Sequence, residues 1–353
     1  MLFDSAAFVV ARPLGVMAIA FCSAFLFMPA FIRALRAAGM GKNIRDVASA
    51  PVMAGLHQKK AGMPTMGGIA MWGIVILLAV VFAEACQMAG SKSSWCQISF
   101  LSRGQTWLPL GLMCAAALVG LVDDYWNVRR LGPKGGGLRK RHRVLSYTFI
   151  AIVGAWWFYT KLGWDQLHIP FVGTYNIGWW YVPFFILTIT ATSLSVNETD
   201  GLDGLAGGGL LAAFGAYAVI AWSQGRTDIA TMCAAIIGTL IAFLWFNVNP
   251  ASVMMGDTGA MSLGTVLGVV ALMTNQPLLL LVIGLPFVLE SLSVLVQMTS
   301  KKLRQGRKIF HSSPIHHHFE AIGWTEPQIV MRFWLLSFVC AGIGSVLALM
   351  DRI

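Results

Sequence analysis

Ten apolar runs recur along this 353-residue chain, at about 14–35, 66–86, 107–126, 144–162, 181–197, 204–223, 229–247, 258–275, 277–299 and 329–350. Each is close to the ~20 residues that a helix needs to cross ~30 Å of hydrocarbon. Backbone in lipid must satisfy its own polar groups, so runs of this length read as helices, whereas barrel strands would be shorter and alternating. Charged residues make up 11% of the chain and hydrophobic ones 57%, where a soluble domain is about a quarter charged. The expectation is an all-α, polytopic integral membrane protein of about ten transmembrane helices, with residues 1–353 forming one domain. No small-residue cleavage site follows the first run, so no cleavable signal peptide is expected. Pro286 should kink or break the ninth span.

The net charge of +10 sits in loops beside apolar runs. Positive-inside topology and anionic lipid headgroups account for it better than nucleic acid does. Arg36, Lys42, Arg45, Lys59 and Lys60 follow span one. Seven Lys and Arg follow span three, from Arg129 to Arg143, and five follow span nine, from Lys301 to Lys308. The alternate loops hold Lys92 and Arg103, then Lys161, then Arg226. Odd-to-even connections are therefore expected in the cytoplasm, and both termini on the periplasmic side. Cys86 and Cys96 would pair if their outer loop faces an oxidising compartment, and the Gly- and aromatic-rich stretch 163–180 is expected to form a small hairpin.

On that map the carboxylates gather on one face. Asp123 and Asp124 end the third span in Leu121-Val122-Asp123-Asp124-Tyr125. Glu198, Asp200 and Asp203 lie in a Gly-rich link without basic residues, and Asp257 precedes span eight in Met255-Gly256-Asp257-Thr258-Gly259. Adjacent acids at a span end either mark the helix exit or share a divalent cation with an anion. An acidic centre ringed by basic loops suits a metal holding phosphate better than an ion pathway strung through the bilayer. Glu290 is the remaining intramembrane acid; it serves function or pairs with a neighbouring helix.

The last cytoplasmic loop carries His316-His317-His318. Neutral imidazoles bind metal and protonated ones bind phosphate. Consecutive residues cannot all face one ion, so they should split roles.

Taken together, Pro64-Thr65-Met66-Gly67-Gly68, Asp123-Asp124-Tyr125, Thr199 to Ala206, Phe243 to Asn247, Met255 to Gly259 and Pro314 to Phe319 resemble the signatures of the MraY family, the phospho-N-acetylmuramoyl-pentapeptide transferases. The resemblance runs in order from about Arg45 to Trp334. It implies ten transmembrane helices in the bacterial inner membrane, a cytoplasmic active site, and often a homodimer. It implies transfer from UDP-MurNAc-pentapeptide to undecaprenyl phosphate with Mg2+, giving lipid I and UMP. Asp123, Asp124 and Asp257 would be the catalytic and metal-associated acids, with Asp257 the direct magnesium ligand. Lys60, Thr65, Asn197, Asp200, Asp203, Asn247, Met254 and Gln297 would line the substrate pocket, and His316, His317 and His318 its sugar-phosphate side.

The chain departs from the family pattern at Asn127 and Arg143, both expected as lysine, at Ser195 for asparagine, at Glu198 for an apolar residue and at Met254 for an aromatic one. Two other readings compete. A transferase for another UDP-hexosamine is disfavoured by the histidine run, and a transporter or lipid flippase by the scarcity of acids deep in the spans.

Overall fold

A computed structural model describes residues 6–41, 62–90, 93–102, 104–132 and 136–351. Lys60, with Lys42, Arg45 and Lys59, lies outside the described residues. The rest is helical apart from one hairpin. In order, the helices are α1 (Ala6–Ala37), α2 (Gly68–Ala89), α3 (Ser94–Ile98), α4 (Trp107–Val128) and α5 (Lys140–Leu162). The hairpin strands β1 (Gln166–Ile169) and β2 (Gly173–Asn176) follow. Then come α6 (Tyr181–Thr199), α7 (Leu205–Ser223), α8 (Thr227–Asn247), α9 (Gly256–Met273), α10 (Leu280–Ile283), α11 (Leu285–Leu303), α12 (Ile315–Ala321) and α13 (Glu326–Met350).

Among the described residues, eight helices are long and apolar enough to cross a membrane, against the ten expected. The other two expected spans are present as helix but fail that standard for visible reasons. The fourth, α5, opens with Lys140, Arg141 and Arg143, and its remainder is diluted by Ser146, Tyr147, Trp156, Trp157, Tyr159 and Lys161. The ninth is interrupted at Gly284, which ends α10 and starts α11. Pro286 sits in the first turn of α11, where a missing N–H costs nothing because that donor would have no intrahelical partner. The expected break therefore occurs two residues ahead of the proline.

α9 is the axle. It packs against α4, α6 and α2, and 94% of its membrane-length window is buried inside the protein. Close approach depends on small residues, as is usual between helices in lipid. A Cβ on Gly120 of α4 would come within 2.5 Å of the Asp257 carbonyl oxygen. That contact sets the backbone carrying Asp123 and Asp124 directly against the start of α9.

At the opposite end, β1 and β2 pair antiparallel from Gln166↔Asn176 to Ile169↔Gly173, as the composition of that stretch suggested. The hairpin is tied to the end of α13: His168 Nε2 bonds Asp351, and the Phe171 N–H donates to Asp351 Oδ1 at 2.6 Å. Cys86 and Cys96 form the disulfide anticipated for that face.

Candidate active site

The start of α9 is held by a carboxylate from α4. Asp124 Oδ1 accepts the Asp257 N–H and Oδ2 the Thr258 N–H, both at 3.0 Å. The first N–H groups of a helix have no intrahelical acceptor, and an anion there also meets the positive end of the helix dipole. Thr258 adds a second tie: its hydroxyl donates to the Ala117 carbonyl at 2.8 Å and receives the Trp72 indole N–H at 3.2 Å.

Beside this cap, one guanidinium bridges two further acids. Arg143 Nε lies 2.5 Å from Asp123 Oδ2, and Nη2 lies 2.9 Å from Asp257 Oδ2. Arg143 lies in the first turn of α5, the last of the seven basic residues that follow span three. Asn197, near the end of α6, completes the group. It donates from Nδ2 to Asp257 Oδ1 at 2.6 Å, and its Oδ1 accepts from Arg143 Nη1 at 3.3 Å. The loop before α5 folds back over Asp123, whose Oδ1 accepts the Leu138 N–H at 2.5 Å. Asp123 is fully buried, while Arg143 and Asp257 keep 20% and 16% of their side chains exposed. That leaves a narrow opening onto the pair.

Counting Asp124, three carboxyl groups gather around one guanidinium, and two of them touch it, so acids outnumber the base. The dipole of α9 offsets only about half a charge. A hard divalent cation held by oxygen donors fits such a set, and Asp123 and Asp257 already converge on one cationic group. Among the described residues, no three acids, histidines or cysteines stand in ligand geometry. Asp124 spends both oxygens on the start of α9, and Arg143 bridges the other two acids.

The remaining predicted residues divide between this cluster and the loops around it. Thr65 is buried, its N–H bonded to the Met40 carbonyl at 3.0 Å, and its hydroxyl lies beside Gly256. Met254 is buried too, pairing its N–H with the Pro64 carbonyl and its carbonyl with the Gly67 N–H. Asn247 accepts the Gly204 N–H at 3.0 Å and donates to the Val253 carbonyl at 2.8 Å. Asp203 accepts from Asn249 Nδ2 and the Ala251 N–H, each at 3.2 Å. Asp200 caps the end of α6, its N–H bonded to the Val196 carbonyl at 3.2 Å. Gln297 binds the loop before α12 by both ends of its amide, donating to the Phe310 carbonyl and accepting the N–H groups of Ile309 and Phe310. Asn247, Asp203 and Gln297 thus shape the loops around the site.

The histidines split as expected. His316 Nδ1 meets Glu290 Oε2 at 2.9 Å, and His317 Nδ1 meets Glu320 Oε2 at 2.6 Å. His318 Nδ1 accepts the His311 N–H at 3.2 Å, with the two rings stacked. Glu290 therefore pairs with a neighbouring helix. Sequence reasoning passed over Arg143 as a site residue, although an arginine opening a span opposite a pair of buried acids is the signal that would have found it.

Residues 106–275 match the family described as Glycosyl transferase family 4, a stretch that contains every acid of the cluster. Over nearly the whole chain the similarity is narrower. A phospho-N-acetylmuramoyl-pentapeptide-transferase of Geobacillus thermodenitrificans is 39% identical over 93% of this chain and 95% of its own length. The chain belongs to the phospho-N-acetylmuramoyl-pentapeptide-transferase family. Relatives of the same name in Chloroflexus aurantiacus, 38% identical over 96% of this chain and 90% of theirs, and in Levilactobacillus brevis, 37% over 91% and 94%, agree. Two of this chain's departures from the transferase pattern make one contact. The Ser291 hydroxyl of α11 lies 2.8 Å from the Ser195 hydroxyl and 2.9 Å from Glu198 Oε2, joining the broken ninth span to α6.

Proposed function

We propose that this membrane transferase moves phospho-MurNAc-pentapeptide from its UDP carrier to undecaprenyl phosphate, forming lipid I and UMP in peptidoglycan synthesis. The observation that carries the reading is similarity over nearly the whole chain to transferases of that name, and this chain's acids from the third and eighth spans meet in one cluster.

Attack of one phosphate on a diphosphate brings like charges together, so catalysis rests on neutralisation and alignment. Asp257 and Asp123 would hold Mg2+, which would supply positive charge and Lewis-acid polarisation for phosphate transfer. Arg143 supplies a second cation at the same point, and Asn197 orients Asp257 through its amide N–H. Asp124 acts at one remove, fixing the end of α9 on which Asp257 rides. Asp200 and the loops held by Asp203, Asn247 and Gln297 would receive the nucleotide.

The Lys and Arg asymmetry supports a cytoplasmic position for this face and periplasmic termini in an inner membrane. A disulfide at the other end of the molecule supports that orientation, because disulfides persist in oxidising compartments. A second copy of the chain is the expected partner; native mass spectra from lipid discs showing monomer alone would remove it. The test of the activity is direct. Purified protein, UDP-MurNAc-pentapeptide, undecaprenyl phosphate and Mg2+ should yield UMP and a lipid product in equal amounts. No UMP from folded protein, or UMP with UDP-GlcNAc instead, would sink this reading.

A further inference from the structure

Glu290 and His316 form a pair that the proposed chemistry does not use. Both side chains are completely buried, and Glu290 Oε2 lies 2.9 Å from His316 Nδ1. A carboxylate can only accept, so it fixes the proton on Nδ1 and leaves Nε2 at the far edge of the ring. Among the described residues that nitrogen has no hydrogen-bond partner, and neither does Glu290 Oε1. It is not turned to open space: a Cβ on Gly201 would stand 2.4 Å from Nε2. The imidazole therefore rests directly on the residue after Asp200, in the link between α6 and α7.

One residue along, Ser291 reaches Ser195 and Glu198 on α6. Two adjacent residues of α11 thus reach this region, Glu290 through His316 and Ser291 through the end of α6. A buried side chain with its rotamer locked by a carboxylate is a support, because it cannot reach a ligand and its position is single-valued.

We propose that Glu290 is a positioning residue that acts through His316: it seats the imidazole on Gly201 and thereby sets where Asp200 stands at the nucleotide end of the site. The proposal rests on the transferase reading for the identity of that nucleotide. It makes His316 a spacer, unlike His317 and His318, and links the break in the ninth span to nucleotide binding.

Four proteins test it: wild type, Glu290→Gln, Glu290→Leu and Gly201→Ala. Glutamine keeps an acceptor for the Nδ1 proton and should stay within about threefold of wild type in KM for the UDP-sugar. Leucine removes the acceptor, and KM should rise about tenfold or more, with kcat within about threefold and the KM for prenyl phosphate unchanged. Alanine at 201 pushes against Nε2 and should reproduce the leucine phenotype. UMP binding by calorimetry, which needs no turnover, should weaken in step with KM. A purely structural Glu290 would lower the melting temperature and the active fraction while KM stayed put, which overturns the proposal. So would glutamine as damaging to kcat as leucine, which would mark the charge itself as catalytic, or alanine at 201 without effect. If wild type binds UMP but makes no lipid product, the transferase reading falls; the calorimetric comparison still decides the role of Glu290.

Discussion

Asp124→Asn separates the two jobs that adjacent acids can hold. In the structure Asp124 spends one oxygen on the Asp257 N–H and the other on the Thr258 N–H, in a site 5% exposed. Asparagine keeps one acceptor and turns an N–H group toward the other donor, so one of the two bonds is lost. A hydrogen bond to a charged group contributes about 1.5–3 kcal/mol. Losing the negative charge at a buried helix start costs a further ~0.3–1 kcal/mol, up to about 2. Together the loss is roughly 2–5 kcal/mol, most of it felt at the first turn of α9. Asp257 sits on that turn, so activity should fall with stability. Thermal unfolding in one detergent, followed beside UMP release, measures both. Asp124→Asn should melt several degrees lower and lose activity even where it is fully folded. A variant with unchanged melting but no turnover would refute the argument, because it would make Asp124 a reacting group with no structural share.

Other outcomes follow from the same cluster and its surroundings. Asp257→Asn should keep the fold and lose at least ~10²-fold in turnover, the scale for removing a principal electrostatic stabiliser; UMP release at saturating Mg2+ checks it. Arg143→Lys keeps the charge without the two-armed reach and should retain measurable activity, whereas Arg143→Ala leaves Asp123 buried without its cation and should destabilise the protein by about 3 kcal/mol or more. Single cysteines at Arg307 should resist an impermeant thiol reagent in intact cells, while one at Gly173 in the hairpin should label; the reverse pattern would invert the topology. The Asp351 carboxyl lies below its ordinary value: burial alone would raise it, but bonds from His168 and from the Phe171 N–H outweigh that. Its stabilisation is complete above the unfolded value of about 3.9 and is lost as pH falls through the lower folded value, so acid should loosen the hairpin, and Asp351→Asn should abolish that pH dependence in hydrogen exchange.

The spans, the hairpin, the disulfide and the break near Pro286 were legible because each follows from a local rule about lipid, glycine or proline. Convergence of Asp123, Asp124 and Asp257 was legible only as a shared face. That Asp124 would serve α9 while Asp123 and Asp257 shared Arg143 depends on how close α4 and α9 approach at Gly120, which no local pattern encodes. Glu290 could be seen to need a partner, but which helix would supply it could not. Asn247, Asp203 and Gln297 look from the sequence like ligand contacts. The structure adds what a motif cannot carry, the bonds by which each holds a loop: Asn247 and Gln297 to loop backbone, Asp203 to Asn249 and Ala251.

The enclosure of α9 bears on how this site can change over generations. A methyl group added at Gly264 would stand 2.9 Å from the Ser193 backbone, and every position of the helix except Asp257 is buried. Variation that alters substrate choice must therefore enter through the loops that meet the end of α9. In a saturation library selected for growth, residues 256–273 should be the least tolerant span. An inhibitor anchored on that helix end should meet resistance slowly, and one anchored on the surrounding loops should meet it soon.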